Sequence, residues 1–135
     1  MALIPKRVKF RNMHGGRTTG KATSGAELNF GEYGLMALKP GYFSERHIEA
    51  ARVAITHHLK GRGKLWIRIF PDRPVSTKPA ETRMGKGKGD LDHWTVRILP
   101  GRILFELTGV GEPEAREALI LASAKLPLTT RYIQR

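Results

Sequence analysis

Arg83-Met84-Gly85-Lys86-Gly87-Lys88-Gly89 alternates glycine with lysine, a pattern suited to phosphate contact. Glycine lets backbone N–H groups approach an anion closely, and lysine supplies the charge. A second string, Gly15-Gly16-Arg17-Thr18-Thr19-Gly20-Lys21-Ala22, comes near the nucleotide-binding P-loop and fails it. Ala22 stands where a metal-binding hydroxyl is required, no apolar strand leads in, and no helical pattern follows. His57 and His58 are neighbours on a predicted helix and point apart, unlike an i, i+4 pair that could share a metal. Asp90, Asp92 and His93 are close enough in sequence to hold a cation, but carboxylates beside a basic segment more often end a strand or pair with lysine. Glu114 and Glu117 fall near the start of a predicted helix, where its dipole accounts for them. Cysteine is absent, which removes disulfides, thiolate catalysis and cysteine-based zinc or iron–sulfur centres. No nucleophile–base pair or metal constellation emerges, so no catalytic residue, cofactor or metal is assigned.

What is left is charge. The 135 residues carry 24 Lys+Arg against 12 Asp+Glu, a formal net charge of +12. The excess is confined to two segments. Residues 1–24 hold Lys6, Arg7, Lys9, Arg11, Arg17 and Lys21 with no acid, and residues 60–88 hold nine bases against Asp72 and Glu81. Residues 25–59 and 89–135 are close to neutral. A surface charged only for solubility would intersperse acids with its bases. Their near absence here points to a polyanionic partner, with nucleic acid foremost. No run of 18 apolar residues is present to span a membrane, and the basic start lacks the apolar stretch of a secretory signal.

The elements that must hold these segments follow from periodicity. Residues 11–25 are rich in glycine, threonine and serine and read as an arm. Residues 71–89 contain Pro71, Pro74 and Pro79 and then the glycine–lysine string, which excludes a helix or central strand and predicts a long structureless loop. Leu65 to Phe70 alternates as a strand, with Trp66, Arg68 and Phe70 on one face. His93–Leu99 and Arg102–Thr108 alternate likewise across Pro100-Gly101 and are predicted to pair as a hairpin. Tyr33–Leu38 and Leu128–Ile133 are weaker strands, the latter at an edge. Ser44 is the predicted N-cap of a helix over 45–60, with Ile48, Ala51, Ile55 and Leu59 on one stripe. A second helix opens at Glu112-Pro113 and runs to about Leu126, burying Ala115, Ala118, Leu119, Ala122 and Leu126. Together these predict an α+β fold, an antiparallel or mixed sheet with two helices on one face. Trp66 and Trp94 fit packing better than base stacking. Arg68 leaves two readings, a phosphate contact or a side chain snorkelling at the sheet edge.

Several unusual strings, in order, carry a resemblance. They are Pro5-Lys6-Arg7, Lys9-Phe10-Arg11, Phe30-Gly31-Glu32-Tyr33-Gly34-Leu35, Ile48-Glu49-Ala50-Ala51-Arg52, Gly63 through Asp72, Lys78-Pro79, Arg83 through Gly89, Pro100-Gly101-Arg102 and Ala124 through Pro127. Over nearly its whole length the chain resembles bacterial-type ribosomal protein sixteen of the large subunit. The resemblance implies an α/β-hammerhead type of α+β fold and a place on large-subunit rRNA near the aminoacyl-tRNA site. It implies arm contacts to rRNA from Lys6, Arg7, Lys9, Arg11 and Arg17, and loop contacts from Arg83, Lys86 and Lys88, the loop approaching the peptidyl-transferase region and bound tRNA. Lys64 and Arg68, just before the loop, and Arg73 and Lys78, within it, complete the candidate RNA-binding set. In some members the arginine matching Arg83 is hydroxylated by a dedicated oxygenase.

The expectation is a non-enzymatic, rRNA-binding structural protein of the cytoplasmic ribosome, with no cofactor. Its partners would be large-subunit rRNA, tRNA in the aminoacyl site and neighbouring ribosomal proteins, with no membrane. Residues 1–24 are expected to form a basic arm on a single domain over 25–135. The arm resembles an organellar transit peptide in composition, but the family strings begin at Pro5, which makes it part of the mature protein. Arm and loop are expected to be disordered when free and to order on rRNA. A general nucleic-acid-binding module would share the charge without these strings.

Overall fold

The structure is a computed structural model that describes residues 3–135. Residues 1 and 2 of the predicted arm lie outside the described residues. In chain order the elements are β1 (Tyr33–Ala37), β2 (Gly41–Ser44), α1 (Glu45–Leu59), β3 (Lys64–Ile67), β4 (Arg73–Thr77), β5 (Asp90–Ile98), β6 (Ile103–Thr108), α2 (Glu112–Ser123) and β7 (Thr130–Gln134). The class is α+β, as predicted, with the strands divided between two antiparallel sheets. One has the order β3-β6-β1-β7 and the other β2-β5-β4.

The division corrects the hairpin expected across Pro100-Gly101. β5 pairs with β2 and β4, while β6 pairs with β1 and β3, so the turn passes the chain from one sheet to the other. Gly101 takes φ of 93° there, and its N–H donates to Ala37 O at 2.8 Å. Residues Ile103 to Leu107 of β6 are all buried, so the strand has both faces covered and lies inside its sheet. Alternation reports which face is buried but not which strand lies alongside.

The predicted loop over 71–89 also changes. Residues 73–77 form β4, paired with β5 at the outside of the three-stranded sheet. Pro74 is tolerated because an edge strand has one side that needs no ladder donor. The irregular loop is therefore 78–89. The strand predicted over 65–70 ends at Ile67, although Arg68 N still donates to Leu104 O at 2.9 Å. β7 lies at the edge predicted for it.

Ser44 caps α1 through a capping box in which His47 fills the third position: Ser44 N–H donates to His47 Nδ1 at 3.1 Å. Lys60, in the left-handed region at φ 53°, closes the helix. Its predicted stripe is the buried one. α2 starts with proline in its first turn and ends at Ser123, a few residues earlier than predicted, with Leu126 still packed in the core. α1 rests against β2 and β5, and α2 against β1 and β7, so the helix pair bridges the two sheets. His58–Glu117 at 3.4 Å and Arg62–Glu114 at 3.2 Å join the helices at the surface.

On the four-stranded sheet the face carrying Tyr33, Leu35, Phe105 and Leu107 joins Ile48, Ile55 and Leu119 in the core. The opposite face carries Trp66 and Glu106, which are register partners, and is crossed by the segment before β1. That segment lies so close that a Cβ on Gly31 would stand 2.7 Å from Leu107 O.

Candidate nucleic-acid interface

Lys6, Arg7, Lys9, Arg11 and Arg17 are all exposed on a stretch without helix or strand. The stretch does not leave the domain. Lys6, Arg7 and Arg11 line a recess of about 410 Å3 whose floor includes Leu91 and Trp94. Further along, Met13 and Gly16 line a groove of about 670 Å3 with Tyr42, Arg73, Lys78 and Lys88. Thr18 Oγ1 donates to the Tyr42 hydroxyl at 3.1 Å. The arm thus lies along the three-stranded sheet and past its β4 edge.

At that edge the two cationic segments meet. Lys88 Nζ donates to Met13 O at 2.7 Å, and Arg73 Nη2 donates to His14 O at 2.7 Å. Arg73 also lies 5.2 Å from the centre of the Tyr42 ring. Lys78 Nζ donates to Gly85 O at 3.2 Å and folds the loop upon itself. Arg83 and Lys86 are exposed on the outer part of the loop. Arm and loop, some sixty to seventy-five positions apart in sequence, are thereby brought into contact.

The remaining two members of the set sit on the other sheet. Lys64 is exposed at the start of β3, its Nζ 5.0 Å from the Trp66 ring. Arg68 takes neither of the readings left open for it. Its side chain is 13% exposed and turns inward to pair with Glu106, which is fully buried. It also donates to Glu27 O at 3.2 Å and lies 5.1 Å from the centre of the Phe30 ring. Arg68 is a support for the segment over the sheet, not a free cation.

Glu106 is the residue that pattern reading missed. It accepts backbone N–H bonds from Asn29 at 3.2 Å, Phe30 at 2.6 Å and Gly31 at 2.7 Å, besides the Arg68 bond. Burial pushes its pKa up, but the three backbone donors and Arg68 outweigh burial and hold it below the ordinary carboxylate value. The only signal in the sequence is a carboxylate in the middle of the apolar run Ile103–Leu107. Phe30 was missed too. The residue is 57% exposed, and its ring stacks on Trp66 at 5.9 Å between centroids, 23° from coplanar. Trp94 packs as expected, 8% exposed.

Asp92 Oδ2 lies 2.6 Å from His93 Nδ1, and among the described residues no three or more His, Asp or Glu gather where one ion could sit. No helix of the described residues is long and apolar enough to cross a membrane. What the surface offers is ammonium and guanidinium groups, close-approach glycines and a few aromatic rings, a chemistry matched to a phosphodiester chain. A family model described as ribosomal protein L16p/L10e matches residues 5–133.

Proposed function

The chain belongs to the ribosomal protein L16p/L10e family and so is a structural protein of the large ribosomal subunit; on that premise we propose that its arm and loop bind large-subunit rRNA as one surface and help shape the aminoacyl-tRNA site. Lys6, Arg7, Lys9, Arg11 and Arg17 contact rRNA phosphates, with Arg73, Lys78 and Lys88 where arm and loop meet. Arg83 and Lys86, at the outer part of the loop, reach toward the peptidyl-transferase region and bound tRNA. The domain that begins near residue 25 is the scaffold that aims both segments, and it borders neighbouring ribosomal proteins.

The observation that carries this reading is the pair of hydrogen bonds from Lys88 to Met13 O and from Arg73 to His14 O. They bring two acid-poor segments to one edge of the fold, where each cation that neutralises a phosphate releases counterions. Recognition on this basis reads the shape of the folded RNA and not a base code. The test is to replace Arg83, Lys86 and Lys88 with alanine together and follow the tagged protein through a sucrose gradient. The expected result is weakened rRNA binding and delayed maturation of the large subunit. Unchanged binding and maturation would remove the loop from the function, and absence of the unmutated protein from large-subunit fractions would remove the ribosomal reading altogether.

A further inference from the structure

We propose that the outward face of Phe30 is a stacking site for one unpaired RNA base, separate from the arm and loop. The proposal rests on the RNA-binding reading above and adds a site of different chemistry on the other sheet.

Phe30 is 57% exposed, yet nothing about it is loose. Its own N–H and those of Asn29 and Gly31 are bound to the buried Glu106 carboxylate, which fixes the backbone that carries the ring. Trp66 stacks on the ring, and the Arg68 guanidinium lies 5.1 Å from its centre. With both neighbours in place Phe30 still leaves more than half of its surface to solvent, and that exposed part is the site.

An exposed phenyl ring adds little to folding, and here a buried carboxylate, an arginine and a tryptophan hold it in place. A flat apolar face, ordered before binding, suits a nucleobase, because stacking needs no matched hydrogen bonds and the ring's freedom is already lost. Lys64, exposed and 5.0 Å from the Trp66 ring, supplies a cation beside the stack for the adjoining phosphate. A ring with an ammonium beside it repeats the two parts of a nucleotide.

Two measurements test the site. The first is binding of a fluorescein-labelled oligoadenylate dodecamer to the full chain by anisotropy across a series of KCl concentrations, with an RNA duplex of equal length beside it. Phe30→Leu should weaken the single strand roughly tenfold, as loss of one base stack requires. It should leave the duplex and the salt slope unchanged, and Phe30→Tyr should bind as the unmutated protein does. Equal single-strand binding by Phe30→Leu and the unmutated protein, with normal salt dependence, overturns the stacking site and leaves the arm and loop reading intact. Absence of salt-dependent binding to either RNA overturns that reading and this one with it. The second places the photo-crosslinking residue p-benzoylphenylalanine at position 30 in assembled subunits. A crosslink to a nucleotide supports the site; a crosslink to a neighbouring protein, or to nothing, overturns it.

Discussion

Glu106 shows how much one side chain can organise. It is fully buried, accepts from three consecutive backbone N–H groups, and pairs with Arg68. Removing it as Glu106→Ala leaves a guanidinium and three donors without their acceptor. The expected loss is about 3–5 kcal/mol in urea unfolding, the range for breaking a buried ion pair on one side. Its pH behaviour has a definite sign. The folded-state pKa is depressed, so the stabilisation is complete above the unfolded carboxylate value and is lost as pH falls through the lower folded value. The unmutated protein should therefore lose stability steeply under acid, and Glu106→Gln should show a shallower acid limb and a lower plateau at neutral pH. A pH series of urea midpoints reads both. The Glu49–Arg52 pair makes the contrast: both side chains are about a third exposed, and Glu49→Ala should change stability by under about 1 kcal/mol.

At the scale of elements, local signals and long-range pairing separate cleanly. α1 was legible to its ends because a helix start is written in consecutive residues: serine, then an acid, then an apolar stripe of period 3.6. Ser44→Ala should cost about 1 kcal/mol by thermal unfolding and leave RNA binding unchanged, since the cap lies on neither basic segment. The strands were legible as strands, but not their partners. The hairpin expected from Pro100-Gly101 failed because the two runs on either side of it belong to different sheets. β4 was hidden by Pro74, a residue that excludes a central strand and says nothing against an edge.

For the whole molecule, the net charge matters less than where the fold brings it. Arm and loop were expected to be disordered when free and to order on rRNA. In the structure residues 12–18 lie along the sheet, held by exposed hydrogen bonds from Ser76, Arg73 and Lys88, and from Thr18 to Tyr42. Each such bond contributes about 1 kcal/mol at most, so the arm is docked and readily released. Tryptic cleavage after Arg11 and Arg17 is expected to be slower in the unmutated protein than in the Arg73→Ala, Lys88→Ala double variant, with no change in far-UV circular dichroism. Removing Arg83, Lys86 and Lys88 should flatten the dependence of log affinity on log salt by about 2 to 3, because each neutralised phosphate contributes a slope of about 0.7–0.9. Titration of one rRNA fragment at several salt concentrations measures it.

By itself the sequence determined the charge segregation, the two helices, the absence of thiol chemistry and, through its ordered strings, the family. All of these are properties of residues near one another in the chain. Only the tertiary structure decided that the strands form two sheets, that arm and loop share an edge, that Arg68 is turned inward and that Phe30 is held outward on a fixed backbone. The reason is physical: the partner that compensates a charge or completes a ladder can lie anywhere in the chain. Arg68 and Glu106 look like a surface cation and an anomaly until folding buries them together.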